Sequence, residues 1–135
     1  EIIKTASKPD LNEKSIQDVL SDFIGDIMQE PPMYSALKFN GQPLYKLARK
    51  GIRIHRKKRK VKIYNIKLQY FTKDTIRIKV KCGRGTYIRS LARDIAIALG
   101  TVGHLIYLKR TRIGIFDKKT CITIQEFPKW LSARI

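Results

Sequence analysis

The stretch Ile76-Arg77-Ile78-Lys79-Val80-Lys81-Cys82-Gly83-Arg84-Gly85-Thr86-Tyr87-Ile88-Arg89 decides how this chain is read. Ile76, Ile78 and Val80 alternate with Arg77, Lys79 and Lys81, the period-two pattern of a strand with one buried face. Beyond Gly85 the period changes, and Ile88, Leu91, Ile95, Ala98 and Leu99 recur at helical spacing until Gly100. Strand, two-glycine turn and helix therefore follow in order. Glycine lets backbone approach a ligand closely, and a helix start presents unpaired N–H groups that favour anions. With Arg89 in the first helical turn and Thr86 and Tyr87 beside it, this segment is where chemistry is expected.

Working outward, Val61 to Phe71 alternates well enough to pair with Thr75 to Cys82 as a hairpin over Lys73-Asp74. Ile16, Val19, Leu20 and Phe23 predict an amphipathic helix, capped at Asn12 or Ser15 and closed at Gly25. Residues 1–12 read as a strand end and a polar loop with a turn at Pro9-Asp10. The paired prolines of Pro31-Pro32-Met33-Tyr34-Ser35-Ala36-Leu37-Lys38 exclude a helix start and predict an extended, exposed loop, followed by the Asn40-Gly41 turn. Leu44, Leu47 and Ala48 predict a short helix ending at Gly51. Leu105 to Arg110 and Arg112 to Phe116 read as further strand, and Thr123 with Glu126 as a capping box opening a helix through Trp130. The mixed order predicts an α+β fold with a largely antiparallel sheet and flanking helices.

Charge narrows the function classes. The 135 residues carry 29 Lys+Arg against 11 Asp+Glu, a formal +18, which points to a polyanionic partner. The asymmetry is local: residues 31–73 hold thirteen basic residues and no acid. Within this mobile basic arm Tyr34, Phe39 and Tyr45 are interleaved with Lys38, Lys46, Arg49, Lys50 and Arg53, and the run Arg56-Lys57-Lys58-Arg59-Lys60 follows. Aromatics offer stacking surfaces and cations track phosphates, so the mixture favours RNA with a steep salt dependence. No apolar run is long enough for a spanning helix, so no membrane partner is expected. Cys82 and Cys121 have no close-spaced partner, which fits a reducing cytoplasm and neither a disulfide framework nor a zinc site. Glu1-Ile2-Ile3-Lys4 has neither an initiator methionine nor a signal-peptide pattern, so the chain reads as part of a longer protein.

Each feature also has a plainer reading. The glycine turn can be a tight connection with a surface arginine, Tyr87 a core residue, and the basic run a solvated face or localisation signal. Asp94 reads as a surface or helix-pairing carboxylate rather than a nucleophile. No serine–histidine or cysteine–histidine constellation can be assembled. From the residues alone, the chain is an RNA-binding surface beside an anion-organising turn.

Several ordered motifs go further. The segment from Pro31 to Lys38, then Gly41, Tyr45, Ala48-Arg49 and Gly51, followed by Gly85-Thr86-Tyr87-Ile88-Arg89-Ser90-Leu91-Ala92-Arg93-Asp94 and Leu99-Gly100, resembles bacterial tRNA pseudouridine synthases of the TruB type. Gly103-His104-Leu105, Leu108, Arg110-Thr111 and Gly114 extend the match. The resemblance implies the pseudouridine synthase catalytic fold and isomerisation of a T-loop uridine of tRNA, at position 55, to pseudouridine. No metal or organic cofactor and no obligate protein partner is implied; the partner is the tRNA T-stem-loop, its target base flipped out of the stack. It further implies a catalytic aspartate paired with Arg89, a uracil pocket lined by Tyr87, and an apolar wall at Leu108. Residues of about 31–60 match a mobile thumb, with Tyr34, Lys38, Tyr45, Arg49, Lys50, Arg53, Arg56, Lys57, Lys58 and Arg59 as its RNA-binding side chains.

One departure is large. The family's aspartate sits in an upstream Leu-Asp-Pro motif that this chain lacks, and Asp10, after Pro9, stands in a different context. Residues 1–135 are thus expected to be a partial catalytic domain without its N-terminal half, inactive by itself. The competing expectations are a non-catalytic RNA-binding or RNA-folding module and, less well matched by the thumb, a ribonucleoprotein subunit of the dyskerin branch.

Overall fold

The computed structural model describes residues 10–132 except 36 and 118; the expected strand end and most of the polar loop of residues 1–12 lie outside the described residues. The chain divides into two units, Glu1–Leu105 and Ile106–Ile135, taken separately below. The first unit opens with α1 (Glu13–Asp22) and β1 (Gly25–Gln29), continues through β2 (Lys38–Phe39), β3 (Gln42–Pro43) and α2 (Leu44–Arg49), and closes with β4 (Arg59–Phe71), β5 (Ile76–Cys82) and α3 (Ile88–Ala98). Helices flank antiparallel strands, the expected α+β arrangement.

The main sheet is antiparallel with order β1-β4-β5. In β4 the residues Val61, Ile63 and Ile66 are buried while Lys60, Lys62, Tyr64 and Lys67 are exposed, so one face is apolar and the other wet. Bulges between Ile63 and Asn65 and between Leu68 and Tyr70 reset this alternation without exchanging the faces. Helices α1 and α3 cover the apolar face: Ile16, Leu20, Leu91 and Ile95 join Ile63 and Ile66 in one buried cluster. Each such side chain contributes about 1.5–3 kcal/mol on burial. The cap of α1 is the expected one, Asn12 accepting the Ser15 N–H at 2.8 Å. The β4–β5 turn falls where the sequence places it, closed by Thr72 N–H to Thr75 O at 2.8 Å.

Between β1 and β4 the chain makes a long excursion that carries the β2–β3 hairpin and α2. Asn40 and Gly41 have φ of 50° and 79°, the left-handed pair that a two-residue hairpin turn requires. The loop expected to be extended and exposed is exposed only in part. Pro31 is fully buried, its carbonyl taking Arg56 Nε at 2.7 Å, and Ser35 is nearly so, with Tyr45 N–H of α2 donating to its carbonyl at 3.0 Å. Strand β1 is an element that the sequence reading did not assign: with a single branched aliphatic, Gly25-Asp26-Ile27-Met28-Gln29 is too short and polar to signal itself.

The second unit holds β6 (Arg112–Ile113) paired with β7 (Phe116–Asp117), then α4 (Phe127–Ser132). The capping box forms reciprocally, Glu126 N–H to Thr123 Oγ1 and Thr123 N–H to Glu126 Oε2, both at 3.2 Å, although the helix starts only at Phe127. Leu105 to Arg110 is not strand, contrary to expectation. Its successive apolar residues do not alternate, and Ile106, Tyr107 and Leu108 are all exposed.

Candidate functional site

The glycine turn is built in layers. Gly83 N–H donates to Lys62 O at 2.7 Å, so the turn starts as an extension of the sheet, and the Thr86 hydroxyl donates back to Gly83 O at 2.8 Å. Gly85, at φ 82°, takes the left-handed conformation that lets the chain double back into α3. Tyr87 then caps the helix through its backbone, its carbonyl accepting Leu91 N–H at 3.0 Å.

What holds this start in place is Gln29, at the end of β1 and 1% exposed. Its side-chain Oε1 accepts Tyr87 N–H at 2.9 Å and its Nε2 donates to Tyr87 O at 3.1 Å. A buried amide is thereby satisfied by one backbone residue 58 positions away, and that residue is fixed in register and direction. Glu30 extends the clasp: its carbonyl accepts the buried Ser90 hydroxyl at 2.7 Å and Arg93 Nη2 at 3.2 Å. Arg93 also pairs with Asp94 at 3.1 Å, so Asp94 does stand as a helix-pairing carboxylate.

Arg89 lies in the first turn of α3 and is exposed. One terminal nitrogen donates to the Tyr34 carbonyl, which ties the helix start to the base of the basic excursion. Among the described residues its Nε and other terminal nitrogen make no hydrogen bond, so two nitrogens of the guanidinium fork stay available. Tyr87 is half-buried. Leu108, 56% exposed, belongs to the second unit.

The excursion presents its cations unevenly. Lys38, Arg49, Lys50, Arg53, Lys57, Lys58 and Arg59 are exposed, and Tyr34, 56% exposed, reaches only the Ala48 carbonyl at 3.5 Å with its hydroxyl. Arg49 stands over the Tyr45 ring at 5.3 Å, a cation–π contact that takes one ring face. Arg56 behaves differently. It is directed inward, donating to Pro31 O at 2.7 Å and to Ile54 O at 3.1 Å, and it pairs with the Glu30 carboxylate at 2.6 Å. Arg56 thus pins the neck of the excursion. A hollow of about 330 Å³ is lined by Lys38, Arg56, Lys57, Arg59 and His55 together with the apolar Phe39, Leu44 and Ile54. A second, of about 410 Å³, lies beside Glu30, Lys58 and Arg93. Neither is lined by Tyr87 or Arg89.

Among the described residues no cluster of three or more His, Cys, Asp or Glu side chains could hold a metal ion, and no helix is long and apolar enough to cross a membrane. The sequence reading missed Gln29, Ser90 and Arg93 as positioning residues. Gln29 had a usable signal: two residues on from Ile27 it faces inward, where an amide needs a dedicated partner.

The family model described as "TruB family pseudouridylate synthase (N terminal domain)" matches residues 1–88. The chain belongs to the TruB family. A second model, "tRNA pseudouridylate synthase B C-terminal domain", matches residues 89–134 of this TruB chain. The seam between the two models falls inside α3, whose Leu91 and Ile95 are nevertheless part of the first unit's core. Among curated relatives, tRNA pseudouridine synthase B of Francisella philomiragia is 54% identical over 123 residues, covering 91% of this chain and 41% of the relative. The enzyme of the same name from Francisella tularensis subsp. tularensis is 50% identical over 125 residues, 93% of this chain and 41% of the relative. The TruB chain thus spans about two fifths of the length of these relatives. A chain from the crystal structure of a Cbf5-Nop10-Gar1 complex superposes with a TM-score of 0.70 at 31% identity, over 97% of this chain and 36% of that one.

Proposed function

We propose that this chain is the thumb and one pocket wall of a tRNA pseudouridine synthase that isomerises the T-loop uridine at position 55. The reaction exchanges the N1–C1′ glycosidic bond for a C5–C1′ bond, with C5 losing a proton and N1 gaining one, so nothing is oxidised and no cofactor is needed. The observation that carries the reading is the exposed Arg89 fork, one nitrogen held on the Tyr34 carbonyl and the other two open. A guanidinium in that state suits bidentate pairing with a carboxylate, holding it oriented and ionised. The carboxylate would come from an aspartate outside this chain. Tyr87, its backbone fixed by Gln29, would line the uracil pocket, and Leu108 would supply the apolar wall. Residues 31–60 would close over the RNA, with Tyr34, Lys38, Tyr45, Arg49, Lys50, Arg53, Lys57, Lys58 and Arg59 toward the nucleic acid and Arg56 holding the arm's base.

The test is tritium release from tRNA labelled at uridine C5. The protein extended by its upstream segment should release tritium, whereas the 135-residue chain should not. Arg89→Ala in the extended protein should reduce release at least about 100-fold, the scale for losing a charge-stabilising group at a reacting centre, with the urea midpoint unchanged. Normal turnover by that variant would end the assignment. The alternative, a non-catalytic RNA-binding module, draws on the acid-free arm present in this chain; it would be favoured if the extended protein bound tRNA without releasing tritium.

A further inference from the structure

The basic excursion is not the only cationic surface. On the solvent face of β4 and β5 the residues Lys62, Lys67, Arg77, Lys79 and Lys81 are all exposed, and neither strand places an acid there. Among the residues of the three strands the one acid on this face, Asp26 on β1, is already paired with Lys60 at 3.4 Å. Lys67 and Lys79 lie directly opposite each other in the ladder. Like charges facing across an antiparallel pair are destabilising, and no neighbour on the two strands relieves them. Three cations of β5 recur every second residue, about 6.6 Å apart at a rise of about 3.3 Å per residue.

Two aromatic residues share this face, but each has one ring face occupied. Lys62 stands over Tyr64 at 5.4 Å and Arg77 over Tyr70 at 5.7 Å. That favours tracking phosphates over stacking unpaired bases. The face also runs into the candidate site: Lys62 O takes the Gly83 N–H, and Tyr64 lies against Gly83, 3.8 Å from where a Cβ would stand.

We propose that the solvent face of the β4–β5 hairpin is a second RNA surface, which holds the phosphate backbone of a base-paired stem while the excursion engages the unpaired loop. The occupant follows from the functional reading, on which this proposal rests. The cations form a ladder with capped rings, suited to a duplex whose bases are turned inward.

The experiment measures binding by the 135-residue protein, by anisotropy between 50 and 200 mM salt, of tRNA, of an RNA hairpin stem and of an unpaired oligonucleotide. The triple substitution Lys67→Gln, Lys79→Gln, Lys81→Gln should lower the slope of log K against log salt by about 2 to 3 for tRNA and stem. The slope for the unpaired oligonucleotide should not change. Wild-type slopes for all three RNAs in a variant with an unchanged urea midpoint would overturn the proposal, and an equal loss on stem and unpaired strand would overturn the assignment to duplex. If the unsubstituted protein bound tRNA without salt dependence, the functional reading would fall together with this surface. Tight binding with an inert triple variant would remove this surface alone.

Discussion

Replacing Gln29 by leucine removes the side-chain amide that holds the start of α3 while keeping side-chain volume close to native. Two hydrogen bonds are lost, at 2.9 and 3.1 Å, with unequal consequences. The Tyr87 carbonyl keeps Leu91 N–H at 3.0 Å, whereas the Tyr87 N–H loses its partner. An orphaned buried donor costs about 1–3 kcal/mol and a lost second bond on a carbonyl about 0.5–1.5 kcal/mol. Tyr87 is half-buried, so water recovers part of this and the expected loss is about 2–3 kcal/mol. With a urea m-value of about 1–3 kcal/mol per molar, the midpoint should fall by about 0.7–3 M. Ser21→Ala, which removes only an exposed hydroxyl bond to Gln17 O, is the matched control and should shift it little. Amide exchange at Tyr87 should accelerate by more than the global loss of stability explains. A midpoint shift below about 0.3 M, with exchange at Tyr87 unaltered, would refute the clasp and leave the geometry of the turn to its glycines.

Two further expectations concern other joints. Arg56→Ala should destabilise by about 1–2 kcal/mol, since a charged pair and two charge-assisted bonds are lost at a partly wet site; protease cleavage within residues 31–58 should rise first, and Arg56→Lys should not restore protection because an ammonium cannot span all three acceptors. Gly103→Ala would set a Cβ 2.9 Å from that of Ala96 on α3, a clash of about 1–3 kcal/mol in thermal denaturation. Adding Ala96→Gly should return part of the loss, and strict additivity of the two substitutions would count against direct contact.

Where the sequence and the structure agree, a strong local rule is at work. The alternation of Ile76 to Lys81, the helical spacing from Ile88 to Leu99, the Asn12 cap and the Asn40-Gly41 turn each rest on residues within a few positions of one another. Where they part, the deciding partner is distant. Gly25 to Gln29 becomes strand because Arg59 to Ile63 pairs with it, and buried Ser35 takes its backbone partner from Tyr45 of α2, ten residues on. Leu105 to Arg110 failed for the opposite reason: a hydrophobic run alone does not supply a pairing edge. The site shows the same division. Tyr87 and Arg89 stand out within a short motif, but Gln29, which fixes one, and Tyr34, which takes a hydrogen bond from the other, lie more than fifty residues upstream.

The pairing of Gln29 with Arg59 has an evolutionary consequence. Everything from residue 30 to 58 leaves and re-enters the sheet at one rung, with Arg56 closing the gap to Glu30 and Pro31 just inside it. Lengthening such a closed loop even twofold raises its closure entropy by only about 0.6 kcal/mol. Insertions, deletions and exchanges between relatives can therefore remodel the surface that this arm presents while the helices behind the sheet register almost nothing. Selection can act on that surface without reopening the question of folding.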